Sequence, residues 1–145
     1  MLSGSTLVVV ADGAFARFLR RERPGALLIE SVDLAVRAEP AVPERDRAPR
    51  VHDSFGVGRH AIENRQTAHE IGEGRFLADV AARTVSAIQK QKPSCVVICA
   101  PPKALGILRA SLESDVGHAL VVSLAKDITR ETASKIDERV RELGA

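Results

Sequence analysis

Thr6-Leu-Val-Val-Val-Ala-Asp-Gly-Ala-Phe-Ala-Arg-Phe-Leu-Arg-Arg21 is the stretch whose reading decides the fold. Its first six residues form one continuous apolar, largely β-branched run, the mark of a strand covered on both faces. Asp12-Gly13 is a turn signal. Beyond it the pattern alternates, with Phe15, Arg17, Leu19 and Arg21 on one side and Ala16, Phe18 and Arg20 on the other, so a hairpin partner follows rather than a helix. Pro24-Gly25 punctuates the chain again, and residues 27–34 read as a third strand. The chain therefore opens on a three-stranded antiparallel meander.

Residues 37–50 hold three prolines among charges of both signs and show no periodicity, so an extended loop is expected over 37–62. From about Glu63 the period changes. Phe76, Val80, Thr84, Ala87 and Ile88, with Leu77, Ala81 and Val85 beside them, recur at helical spacing and predict one long amphipathic helix ending near Gln91, before Pro93. Gly72 and Gly74 each weaken a helix by about 1 kcal/mol, so a bend or frayed turn is expected there. Residues 94–100 are a second continuous apolar strand, stopped by Pro101-Pro102. A helix over 103–111 follows, with Leu105, Leu108 and Leu112 as its stripe, then a strand near 120–125. Thr129 is the expected N-cap of a closing helix, with Glu131 in its first turn, Ala133, Ile136, Val140 and Leu143 buried, and Gly144 ending it. The order β-β-β-α-β-α-β-α predicts a three-layer α/β/α domain on a mixed five-stranded sheet, one domain over 1–145.

Composition narrows the function classes. At 145 residues, 45% hydrophobic and 28% charged, the chain can bury roughly 70% of its unfolded surface and needs no metal or disulfide staple. A formal charge of +2 is too small to argue for nucleic acid by itself. There is no Trp or Tyr and only four Phe, so the aromatic platform of single-strand readers is nearly absent. Cys95 and Cys99 would stand about 13 Å apart along a strand, beyond disulfide reach, and read as buried small hydrophobes. The apolar run at the N-terminus is too short for a signal peptide or a membrane span, which predicts a cytoplasmic protein with no membrane partner.

Polar chemistry gathers in residues 50–76, which carry three of the four histidines. Gly56, Gly58, Arg59, His60 and Arg65 have the makings of an anion site, since glycine N–H groups can form a concave donor nest and guanidinium forks match phosphate oxygens. Lys103, opening a helix after Pro101-Pro102, could assist. His52, His60 and His69 with Asp53, Glu63 or Glu70 lack the spacing of a standard zinc set, so no metal is assigned. On a helix Arg65, His69, Gly72 and Phe76 share a face. Asp12 after the first strand and Asp127 after the last occupy strand carboxyl ends, where α/β sheets place ligands and two-metal nucleases hold carboxylates. With His69, they are the candidate catalytic residues.

Several ordered segments also resemble one bacterial family, the host attachment proteins, named as required for attachment to host cells in plant-associated bacteria. The segments are Val10-Ala-Asp-Gly-Ala-Phe-Ala-Arg17, Val51-His-Asp-Ser-Phe-Gly-Val-Gly-Arg-His-Ala-Ile-Glu63, His69 through Phe76, Ala100-Pro-Pro-Lys-Ala-Leu-Gly-Ile-Leu-Arg109 and Lys126-Asp-Ile-Thr129. The element order is shared by ribonuclease H-like and ribosomal-protein-like α/β folds, and the resemblance implies a fold similar to the central domain of archaeal and eukaryotic peptide-release factors. Those factors act through Gly-Gly-Gln. Here Gly56-Val57-Gly58-Arg59 stands in a comparable place without glutamine, so peptidyl-tRNA hydrolysis is not implied. The reading that follows is a non-enzymatic, cofactor-free cytoplasmic module that contacts RNA or the ribosome through the glycine-arginine stretch. The alternatives are a hydrolase of phosphodiester or ester bonds and a protein-interaction module presenting the Leu105 helix.

Overall fold

The computed structural model describes residues 4–38 and 57–145, with the side chains of residues 57–67 outside that description. Strands β1 (Thr6–Ala11) and β2 (Phe15–Arg21) form the hairpin foreseen from their sequence, in a register that places Val10 opposite Arg17 and Val8 opposite Leu19. The turn between them is built by Asp12, whose Oδ1 accepts from the N–H groups of Ala14 and Phe15 at 2.7 Å each. Such an Asx turn replaces backbone partners with a side chain. At Pro24-Gly25 the chain reverses through Ala26 N–H donating to Arg23 O, with Gly25 at φ +83°. Proline before a positive-φ glycine is the type II arrangement.

The third strand is not continuous. The run expected over 27–34 pairs with β2 only as β3 (Ile29–Glu30), turns through a 3-10 segment at Val32–Leu34, and returns to β2 as β4 (Val36–Arg37). The long helix α1 (Val57–Gln91) then leads to β5 (Cys95–Cys99), α2 (Pro102–Leu112), β6 (Leu120–Leu124) and α3 (Ala133–Glu142). The sheet order is β3-β2-β1-β5-β6, with β4 also on β2, and β1, β5 and β6 run parallel. The expected mixed sheet is present among the described residues, its third position shared by two short strands.

Two apolar clusters fill the faces. On one, Leu7, Val9, Phe18, Val96 and Ile98 meet Phe76, Leu77 and Val80 of α1 and Leu105, Leu108 and Leu112 of α2. On the other, Val8, Val10, Leu19 and Val97 meet Ile128 and, from α3, Ile136 and Val140. Both faces of β1 are thus covered, as a continuous apolar run requires. Thr84 tolerates its buried place in α1 because its hydroxyl donates to Val80 O at 2.7 Å.

Three expectations need correction. First, α1 begins at Val57, so Gly58, Arg59, His60 and Arg65 lie on helical backbone rather than in a loop reaching residue 62. Extending a helix adds one hydrogen bond for each residue fixed, which offsets a glycine penalty of about 1 kcal/mol. Second, α1 runs unbroken through Gly72 and Gly74. Third, Thr132 rather than Thr129 caps α3, its hydroxyl accepting from Lys135 N–H at 3.1 Å. Glu131 therefore lies before the cap, not in the first helical turn. The end of α3 is as expected: Gly144 at φ +85° lets Ala145 N–H reach Val140 O and its own N–H reach Arg141 O, a Schellman closure.

Candidate functional site

The parallel strands β1, β5 and β6 end at one edge of the sheet, and the residues that follow them meet there. Asp12 follows β1, Pro101 and Pro102 follow β5, and Asp127 follows β6. Thr129 draws the two aspartates together. Its hydroxyl lies 2.6 Å from Asp127 Oδ1 and 3.3 Å from Asp12 Oδ2, and its N–H donates to Asp127 Oδ1 at 3.0 Å. Thr129 itself is 5% exposed. Sequence position foresaw the two carboxylates at strand ends but not the threonine between them.

Both carboxylates are engaged locally. Asp12 closes the β1–β2 turn and Asp127 closes an Asx turn onto Thr129, so each oxygen used in this way is turned toward the backbone. Among the described residues no three His, Cys, Asp or Glu side chains gather as a cation set. In the order β3-β2-β1-β5-β6 the chain leaves β1 toward β2 on one side and β5 toward β6 on the other, so the carboxyl ends of β1 and β5 flank the point where strand order reverses.

The segment from Asp127 to Glu131 is pinned by a second network. Arg17 Nη1 donates to Thr129 O at 2.9 Å and Glu131 O at 2.5 Å, while its Nε and Nη2 grip Glu30 at 2.9 and 2.6 Å. Glu131 in turn accepts two bonds of 2.6 Å from Arg139. The hydrogen bonds from Arg17 hold the Glu30 carboxyl below its ordinary value and raise the guanidinium's own. Those from Arg139 lower Glu131 in the same way. At the opposite edge Arg21, 3% exposed, donates to Asp137, to Ala26 O and to Ala145 O. The alternation in β2 placed Arg17 and Arg21 on one side with Leu19; that this side is the buried α3 face could not be read locally.

The buried thiols are unreactive, because burial raises Cys95 and pushes Cys99 up to about 12. Leu105, 7% exposed, packs into the core. The α2 stripe is therefore occupied, and the interaction-module alternative that presented it loses its surface. Lys103 sits exposed in the first turn of α2.

The remaining candidates lie on α1. His69 is exposed, with Nε2 3.7 Å from Glu73 Oε2. Glu73 leans over the β1–β2 turn, where a Cβ added at Gly13 would stand 3.1 Å from its carboxyl carbon. That contact, between a turn glycine and a helix carboxylate, is one that sequence reading missed. Gly58, Arg59, His60 and Arg65 lie on the helix before it, and Gly56, His52 and Asp53 lie outside the described residues. From Ala68 to Gly72 every residue is exposed, and among the described side chains of α1 the first buried one is Phe76. At 1.5 Å per residue α1 is about 52 Å long, against strands of about 20 Å.

Fold and site together define a three-layer α/β/α domain whose strand-end carboxylates serve its own turns and whose longest helix packs on the sheet from Phe76 onward. The model of a family described as "protein required for attachment to host cells" matches residues 7–140. The chain belongs to that family. No curated protein matches it significantly.

Proposed function

We propose that this protein is a cytoplasmic binding module whose ligand is RNA, met at the ribosome, and that the first half of α1 is its contact surface. The observation that carries the reading is the division of α1. Its second half, from Phe76, is held by the core, while residues 68–72 before it are exposed and the sequence leading into them carries Arg59, His60 and Arg65. Gly56, Gly58 and Lys103 belong to the same surface in this reading. A helix needs an apolar stripe only where it packs, and guanidinium forks carried on a helix match phosphate oxygens. No helix among the described residues is long and apolar enough to cross a membrane, which agrees with a cytoplasmic site of action. The resemblance to release-factor central domains read from the sequence is what suggests the ribosome as the source of the RNA. Attachment to a host is then an indirect consequence of a translational role.

The test is binding of the folded protein to ribosomes and to purified ribosomal RNA across a salt series. Arg59→Ala and Arg65→Ala are each expected to weaken binding and to lower the slope of log affinity against log salt by about one. Binding equal to the parent's at every salt concentration overturns the reading.

A hydrolase of phosphodiester or ester bonds using Asp12, His69 and Asp127 has one observation in its favour, the meeting of both aspartates at Thr129. Turnover of such substrates with Mg²⁺ or Mn²⁺ that is lost in Asp12→Ala would select it. The binding reading expects no such turnover.

A further inference from the structure

The two edges of the sheet are built differently. The β3/β4 edge consists of two-residue strands interrupted by a 3-10 turn and accompanied by Glu30, Asp33 and Arg37. Short, broken and charged edges are how monomeric sheets avoid further pairing. The β6 edge has none of these devices. It is a regular strand, Leu-Val-Val-Ser-Leu, without charge or proline, and Leu120 and Val121 are 50% and 36% exposed.

The hydrogen bonds of β6 show which of its backbone groups remain on offer. Leu120 N–H donates to Ser94 O, and Leu124 O accepts from Ala100 N–H. In a parallel ladder alternate residues turn both backbone groups to the same neighbour. Leu120, Val122 and Leu124 therefore serve β5, while Val121 and Ser123 direct N–H and C=O away from the sheet. Among the described residues no backbone bond outside the ladders uses either.

We propose that two copies of this chain join through β6, edge to edge and antiparallel, about a twofold axis at Val122. In that register Val121 of each copy faces Ser123 of the other, and each such pair exchanges both backbone bonds. Leu120 stands opposite Leu124, and Val122 opposite its own symmetry mate. No charge meets a like charge across the pair, which is the condition under which a strand can pair with itself. A neighbouring register centred on Val121 would bring in Ala119, whose N–H is already donated to Val116 O. The contact is isologous and closes at two copies, because the edges left outside are the broken β3/β4 edges. One strand per copy makes a small interface, below about 1,200 Å², so the dimer depends on concentration.

Sedimentation velocity over a micromolar concentration series tests the association, and cysteine cross-linking tests the register. Val122→Cys is expected to give a disulfide-linked dimer under mild oxidation, because residues at a non-hydrogen-bonded antiparallel pair approach to about 4.5 Å between Cα atoms, within disulfide reach. Val121→Lys, at an exposed position, is expected to keep the parent's melting temperature and weaken association about tenfold. Ile29→Lys, on the other edge, is expected to leave association unchanged. A protein that stays monomeric throughout the series overturns the proposal. So does a dimer that Val121→Lys leaves intact, or one in which Val122→Cys fails to cross-link.

Discussion

The two faces of the sheet hold their helices by different physics. On the α1/α2 face the contact is made by apolar side chains, with Phe76, Leu77 and Val80 meeting Leu7, Val9 and Phe18, and the buried Thr84 hydroxyl bonds within its own helix. On the other face α3 contributes only Ile136, Asp137 and Val140 to the buried side. Two arginines of β2 supply what so short a stripe lacks: Arg21 reaches Asp137 and the end of α3, and Arg17 pins the segment that leads into it. An apolar face loses stability in proportion to the volume removed, whereas a buried charge pair fails when one partner is left behind. The lesson is that an amphipathic helix of ten residues can be docked by polar side chains if every donor and acceptor is matched.

The largest effects should test that contrast directly. Phe76→Ala and Arg21→Ala are each expected to cost about 3–5 kcal/mol in urea unfolding, the first by leaving a cavity and the second by leaving Asp137 with only the more exposed Arg141, 3.3 Å away, and taking a donor from Ala26 O and Ala145 O. They should respond differently to repair. Arg21→Met combined with Asp137→Leu is expected to return most of the loss, because an apolar pair of similar volume replaces a matched ion pair at little cost. If the double variant is as unstable as Arg21→Ala, the bonds from Arg21 to Ala26 O and Ala145 O carry the face instead.

A smaller effect separates the faces by pH. The folded Glu30 carboxyl titrates below its ordinary value of 4.5 because Arg17 hydrogen-bonds to its ionised form. Its contribution is therefore fully present above the unfolded value and is lost as pH falls through the lower folded one. Glu30→Gln is expected to lower stability at neutral pH by about 1–2 kcal/mol and to flatten the acid limb of an unfolding profile. Phe76→Ala should lower the whole profile without changing its acid slope. The smallest effect lies on α1 itself: nothing lies within 4 Å of a Cβ added at Gly72, so Gly72→Ala should raise stability and helicity by up to about 1 kcal/mol.

Much of the fold was legible because its signals are local. The β-branched runs of β1 and β5, the alternation of β2, the Pro24-Gly25 turn and the stripe from Phe76 to Ile88 each lie within one element. The failures share a cause as well. The split of the third strand depends on pairing with β2, and the start of α1 at Val57 could not be found by periodicity, since the only apolar positions over residues 57–67 are Val57, Ala61 and Ile62, too few to mark a helical stripe. Thr129 looked like a cap from its neighbours alone. Its partner Asp12 is 117 residues away, a separation at which sequence spacing carries no signal.

For the site, residue type and position along the chain were enough to mark Asp12 and Asp127 at strand ends and to collect Arg59, His60 and Arg65 near His69. They were also enough to name the family, through motifs spread along the whole chain. Tertiary structure alone decided what those groups do. It turned both carboxylates inward onto Thr129 and the backbone, buried the Leu105 stripe, put Arg17 and Arg21 beneath α3, and left residues 68–72 of α1 exposed. The physical reason is that a side chain's chemistry is set by who its neighbours are, and in a sheet those neighbours come from strands far apart in sequence.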